Sequence, residues 1–326
     1  ETHRLWSSYY YAPTTSPFRW LKWFRFLPAW IMSRGRVRYW LSRMIKQLHG
    51  FTGYFQIYNV PFHLLSFFDY AEKKRIWVAG GLPNTSSIFD LMQERKIAHY
   101  VHDSVLSDQE RLRRLRSCIE EQSIEFAYIS FSKLDALMHA KGPDSPEVTD
   151  LVHWFDREIG SLIDLAEAHY EDVPFWVFTD HGMHSVKEAV DLQQEIASLE
   201  LKFGVDYVAF YDSTMARFWC FNTEARSILE KYLSDHSCGN LLSDEELKSM
   251  GVYFPDHQYG ELIFLVDAHV LIVPSFMGEK KIAGMHGYHP DSADSAASMT
   301  SNQPLPEELQ RIEQIYHLME KALSRN

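Results

Sequence analysis

The stretch Phe175-Trp176-Val177-Phe178-Thr179-Asp180-His181-Gly182-Met183 constrains the fold more than any other. Its aromatic and β-branched run, behind Pro174, reads as a buried strand. The run ends abruptly in Asp-His-Gly. Two side chains that resist burial therefore sit at the mouth of an apolar strand, where open α/β sheets place their sites. Gly182 is expected to let the backbone turn sharply, so that Asp180 and His181 face one point. An Asp capping a turn beside a surface His is the commoner explanation of such a pair taken alone, so the rest of the chain must decide.

Two further stretches carry the same chemistry. Phe126-Ala-Tyr-Ile-Ser-Phe131 reads as a short buried strand, followed by Asp135-Ala-Leu-Met-His139. Asp and His four residues apart converge on one ion if the segment is helical. Pro146 to Tyr170 is predicted as a long amphipathic helix leading into the strand at Phe175. The order strand, Asp-x-x-x-His, helix, strand, Asp-His-Gly is a β-α-β unit with a metal-type pair after each strand. The third stretch, Gly284-Met285-His286-Gly287-Tyr288-His289-Pro290-Asp291, places two histidines in a Gly/Pro loop. Between these signals, Val186 to Glu200 is predicted helical. Tyr207–Tyr211 and Ala216–Phe221 alternate as a hairpin. Pro306 to Leu323 reads as a terminal helix.

The N-terminal part differs in kind. Thr2 to Phe68 holds no Asp or Glu but nine cations, and five of the nine tryptophans. Setting that segment and Glu1 aside leaves 23 Lys and Arg against 43 Asp and Glu, so a basic arm is joined to an acidic body. The predicted division is a basic aromatic helical cap over residues 1–70 and a metal-binding α/β core over 71–326. From Ala29 to about Leu48 a helix is expected. Trp30, Val37, Trp40, Leu41, Met44, Ile45 and Leu48 fall mostly on one face, with arginines over much of the rest. Such a helix can lie in a membrane interface, serve as a lid over an anionic substrate, or pack on the domain. Three widely spaced cysteines make no disulfide framework and favour a reducing, cytoplasmic or membrane-peripheral setting. No signal peptide is visible, and no apolar run is long enough to span a membrane. The acidic body would repel a nucleic-acid duplex.

Taken in order, Asp135-x-x-x-His139, Asp180-His181-Gly182-Met183 and His286-Gly287-Tyr288 resemble the motifs of the alkaline phosphatase superfamily. Within it they are most similar to the type I phosphodiesterase/nucleotide pyrophosphatase branch, over about Phe126 to Asp291. The resemblance implies a doubly wound, mostly parallel sheet with helices on both faces and two divalent ions at its carboxyl edge. Carried onto this chain, Asp135, His139 and His286 hold one ion, and Asp180 and His181 the other. Mixed imidazole and carboxylate without thiolate suits Zn²⁺, with Mn²⁺ or Fe as alternatives. His184 and His289 fall outside the family's ligand positions and would support a ligand or touch substrate.

The resemblance also implies an Asp ligand after the first strand and a Ser or Thr nucleophile that forms a covalent phospho-enzyme. Glu1-Thr2-His3-Arg4 is similar to the Glu-x-His-Gly stretch that follows the nucleophile in relatives, with Arg4 departing from Gly. The chain is therefore expected to start just downstream of its nucleophile, and residues 1–326 alone to hydrolyse little. Thr14 or Thr15, between Pro13 and Pro17, is the substitute candidate. The expected activity is metal-dependent hydrolysis of a phosphodiester or pyrophosphate in an anionic small-molecule, lipid-linked or sugar-linked substrate. The alternatives are a transferase or sulfatase of the same superfamily, and a non-catalytic membrane-surface module. The five intact ligand-type residues argue against the last.

Overall fold

Connection length decides how the strands pair. Tyr207–Tyr211 and Met215–Cys220 are joined across Asp212-Ser213-Thr214, too short for a crossover, and pair antiparallel. Leu262–Val266 and Gly239–Leu241 extend that sheet, both antiparallel. Parallel pairs occur where a longer crossover intervenes. His99–Val101 meets Phe126–Tyr128 across the helix Asp108–Glu120, and Glu188–Val190 meets Val270–Ile272. The computed structural model describes residues 5–26, 34–102 and 105–324. Among these the α/β class stands, while the pairing is mixed rather than mostly parallel.

Local signals place most helices where the sequence expects them. Ser145 caps Pro146–His169 through Val148 N, with Pro146 in the first turn. Two expectations shift. Glu188–Val190 is a strand, and the helix begins only at Leu192, because Asp191 accepts from Gln194 N and so starts it there. The terminal helix runs from Ile315 to Leu323; the Gln314 side chain binds the N–H groups of Gln310 and Arg311 and fixes its start.

The basic aromatic stretch is built into the main core. Tyr9–Tyr11 pairs antiparallel with Phe68–Tyr70. Tyr9 and Phe68 each set their rings 5.1 Å from Phe210, and Tyr11 stacks on Trp219 at 5.4 Å. Every residue of Tyr207–Tyr211 is consequently buried. Arg217 is fully buried under this layer: Nε donates to Asp212 Oδ2 at 3.0 Å and Nη1 to Tyr9 O at 2.7 Å.

The helix Gly35–Leu48 presents two adjacent apolar stripes rather than one buried face. Ile45 is buried, with Val37 and Leu41 packed beside it, while Trp40, Met44 and Leu48 are exposed. Residues four apart share a stripe, and only the 37/41/45 stripe meets the core. The predicted start of this helix, including Trp30, lies outside the described residues, as do Glu1–Arg4.

A second cluster positions the site. Ile88, Phe89, Met92 and Leu323 pack with Phe126, Tyr128 and Trp77 against the parallel pair. Phe126–Tyr128 and Trp176–Phe178 are partly rather than fully buried. Each is three residues long with one ladder partner among the described residues, so its faces are only partly covered.

Candidate metal centre

Asp135 and His139 lie on the helix Lys133–Lys141, which realises the i, i+4 convergence the spacing predicts. This helix is started by a residue far away in sequence. Ser132 makes no side-chain cap; the buried Asp108 carboxylate accepts from Ser132 N (3.3 Å) and Lys133 N (3.0 Å) instead. Arg111, also buried, pairs with Asp108 and donates to Ser130 O at 2.6 Å. A negative charge at a helix N-terminus is favourable there.

The other residues arrive on two loops clamped by glycines. Gly284–Met285 forms a two-residue antiparallel ladder with His184–Ser185. A side chain at Gly284 would begin 2.4 Å from Met138 O, and one at Gly182 would begin 2.0 Å from Asp294 O. Gly182 is not in the left-handed region. The expected sharp turn is therefore not its reason; close approach of the Asp294 backbone is.

These contacts bring Asp135, His139 and His286 together, with one ligand atom of each within 4.8 Å of the others. Asp135 Oδ1 lies 3.4 Å from His139 Nε2 and 3.6 Å from His286 Nε2. That oxygen is buried and has no hydrogen-bond partner. His139 Nδ1 sits 2.8 Å from Gly284 O, so its proton is held there and the Nε2 lone pair points at the Asp135 side. Aligned lone pairs around an orphaned carboxylate oxygen fit a divalent cation and little else.

His181 joins by stacking on His286, ring centroids 3.7 Å apart. Its Nδ1 is 2.8 Å from Gly182 O, and its Nε2 is 3.5 Å from Asp180 Oδ1. Among the described residues no third His, Cys, Asp or Glu completes this pair. Burial first, and then the neighbouring His181, push the His286 imidazole down to about 4, with Asp135 opposing. His286 is thus neutral near pH 7. Tyr128, at the end of its strand, has its hydroxyl pushed up by burial and by the Asp180 carboxylate.

Four predicted residues are elsewhere. His289 pairs with its neighbour Asp291. Thr14 and Thr15 are exposed in a turn closed by Thr15 N and Ala12 O, and Ser16 beside them is tied to Leu65 O. His184, a partner of Met285 in the short ladder, belongs to a separate group with His269 and Asp294. Burial lowers its imidazole pKa, with Asp294 opposing. Sequence reasoning missed Asp108, His269 and Asp294. Asp108 reads as one more charge opening a charged helix, and His269 and Asp294 follow no ligand spacing.

A model of the type I phosphodiesterase / nucleotide pyrophosphatase family matches residues 76–289, well over half of the chain. The match contains all five centre residues and starts upstream of Phe126, where the motif resemblance begins. No curated protein matches the chain. Among solved structures, the fold is similar to murine ectonucleotide pyrophosphatase/phosphodiesterase 5, an inactive variant in complex with AMP. Identity is 15%, covering 80% of this chain and 76% of that one, with TM-score 0.63. The human protein of the same name gives 14%, 82%, 77% and 0.64. Phosphonoacetate hydrolase from Sinorhizobium meliloti, in complex with phosphonoacetate, gives 15%, 65%, 55% and 0.50. Such identities speak for the fold.

Proposed function

The chain belongs to the type I phosphodiesterase / nucleotide pyrophosphatase family, and we propose that it hydrolyses phosphodiester or pyrophosphate bonds at a two-metal centre. Membership makes it a hydrolase of phosphoric ester bonds. In our reading Asp135, His139 and His286 hold one divalent ion, and Asp180 and His181 contribute to the other. The observation that carries it is the buried, unpartnered Asp135 Oδ1 between two imidazole Nε2 atoms. We assign Zn²⁺ from the imidazole–carboxylate donor set.

When bound, such ions supply Lewis acidity to phosphoryl oxygens and to an attacking hydroxyl. The chain's own residues prepare the place. His139 and His181 are oriented by carbonyls that hold their Nδ1 protons. His286, kept neutral, loses no proton to bind a cation. Asp180 is largely exposed, and an anionic phosphoryl group could approach it only with its charge offset. We assign the attack to a Ser or Thr hydroxyl through a covalent phospho-enzyme; Thr14 and Thr15, held in their own turn, are not drawn to the centre.

The test is metal content of residues 1–326, with turnover of bis(4-nitrophenyl) phosphate and of a dinucleoside pyrophosphate measured on protein in which the attacking Ser or Thr hydroxyl is supplied together with this chain. Chelation should abolish turnover and Zn²⁺ should restore it. Asp135→Asn and His286→Ala should each lose metal and at least about 100-fold in rate while keeping the fold. Full activity in either variant defeats the assignment.

We further propose that the aromatic stretch contacts an anionic membrane surface, which would suit a lipid-linked phosphoester. Trp23 and Trp40 are 71% and 66% exposed. Lys22 lies over the Trp23 ring and Arg43 over Tyr39 and Trp40, pairing aromatic and cation as an interfacial surface requires. Among the described residues no helix is long and apolar enough to cross a membrane. Binding to phosphatidylserine vesicles should weaken severalfold in a Trp23→Ser/Trp40→Ser variant; unchanged binding rejects this part.

A further inference from the structure

We propose that His184, His269 and Asp294 form a separate binding site for a Zn²⁺-type ion, a structural brace beside the centre described above. The inference stands on its own residues and does not depend on the reading of Asp135, His139 and His286.

One ligand atom from each of the three lies within 4.8 Å of the others. The decisive atom is His184 Nδ1. The side chain is 1% exposed, and Nδ1 has no hydrogen-bond partner. It points at Asp294 Oδ2, 3.7 Å away. The ring has no freedom to turn from this position. Its Nε2 is 3.1 Å from Ser295 Oγ, and the Tyr288 ring covers it edge-on with centroids 4.8 Å apart. Either tautomer leaves Nδ1 in difficulty. A proton there has no acceptor within reach, and a lone pair there faces a carboxylate. A buried polar atom left in that state is unfavourable. A cation between the imidazole and the carboxylate relieves both.

His269 is prepared for the same role. Its Nδ1 is 2.7 Å from Ser185 O, which holds the proton on that nitrogen and leaves the Nε2 lone pair free. The two rings meet edge to face at 5.3 Å. Two imidazoles and one carboxylate without thiolate is a donor set for Zn²⁺ and its first-row neighbours. Adjacent donors of a tetrahedral Zn²⁺ sit about 3.3 Å apart, so 3.7 Å closes with a shift of a few tenths of an ångström. Asp294 is 56% exposed, which leaves the remaining coordination to water.

The position suggests what the ion does. Gly182 N donates to Ser295 O at 3.1 Å, and Gly182 abuts the Asp294 backbone. His184 pairs with Met285 in the short ladder, next to His286. Cross-linking His184, His269 and Asp294 therefore ties together the segments that carry Asp180, His181 and His286. The ion would hold the wall of the centre without touching substrate.

The experiment uses metal-free protein carrying Asp135→Asn and His139→Ala, which disables the first centre. Zn²⁺ is titrated by calorimetry and by its effect on melting temperature, and Co²⁺ by its visible ligand-field absorption. In this background the protein should bind Zn²⁺ and gain thermal stability. Adding His269→Ala or Asp294→Asn should weaken binding at least about tenfold and remove the thermal gain. The isosteric change at half-exposed Asp294 guards against misfolding as the cause. No Zn²⁺ uptake in the background protein, or equal affinity with and without these substitutions, overturns the proposal and leaves a bridging water as the occupant. Failure of the first centre reads out separately, as unchanged stoichiometry when Asp135→Asn/His139→Ala is compared with the unaltered chain.

Discussion

Mild acid should destabilise the metal-free protein through His286. Its imidazole is held to about 4 against an ordinary 6.5, first by burial and then by the stacked His181. Above pH 6.5 the group is neutral whether the chain is folded or unfolded, and it contributes nothing to the pH dependence. As pH falls from 6.5 towards 4, the unfolded chain takes up a proton that the folded chain refuses, so stability is lost across that window. At about 1.4 kcal/mol per pH unit the full loss is at most about 3 kcal/mol. The side chain is 31% exposed, and solvent screening reduces it towards about 2. The assay is urea unfolding of chelator-treated protein at pH 7, 6, 5 and 4, with His286→Asn in parallel. Groups distant from the centre titrate alike in both proteins, so the difference between the curves reports His286 together with its coupling to His181, His139, Asp135 and Asp180. The variant should fall less steeply between pH 6.5 and 4. Parallel curves would refute the claim that the centre excludes a proton from His286. Saturating Zn²⁺ should steepen the acid loss in the unaltered protein, because every proton that enters the site then competes with metal.

Three other changes probe the scaffold. Gly182→Ala places a methyl against the Asp294 and Ala296 carbonyls; it should cost about 1–3 kcal/mol in urea unfolding and most of the turnover, and a loss below about 0.5 kcal/mol would contradict the close-approach argument. Asp108→Ala removes the remote cap of the Asp135/His139 helix and strands buried Arg111; a loss of about 2–4 kcal/mol with weakened metal uptake is expected, and unaltered Zn²⁺ affinity would show that the cap does not position the ligands. Arg217→Met leaves Asp212 buried and uncompensated and should cost about 3–5 kcal/mol, part of it recovered by adding Asp212→Asn; no recovery would mean that Tyr9 O, not the carboxylate, is the partner that matters.

What the sequence made legible followed from short-range rules. Asp135 and His139 could be paired because a helix makes residues four apart neighbours, and the long helix predicted from Pro146 starts there, where Ser145 caps it. What stayed hidden depends on contacts between distant segments. The alternation of Ala216–Phe221 is that of an ordinary hairpin, yet Arg217 is fully buried because Tyr9, Phe68 and their neighbours cover its face of the sheet. No local pattern announces that a cation on a strand will find Asp212 and a carbonyl 208 residues away. The stripe of Trp40, Met44 and Leu48 was legible as apolar but not as exposed, since only packing decides which of two adjacent stripes is inward.

The same distinction explains why Asp180-His181-Gly182 could be picked out for a reason that was half right. His181 stacks on His286 while Asp180 is largely exposed, and Gly182 is required by the Asp294–Ala296 backbone rather than by the turn. That backbone also delivers the carboxylate facing His184 Nδ1. The Gly284–Met285 ladder thus adjoins two candidate ligand groups: His286 follows it in the chain, His184 is one of its partners, and Gly182 and Gly284 are packed against the Asp294 and Met138 backbones. Gly182 follows His181 in the chain and abuts the Asp294 backbone, so its position bears on both groups. A substitution that moves one must move the other, so Gly182→Ala should lower Zn²⁺ affinity at both sites together, whereas Asp294→Asn should lower it at one.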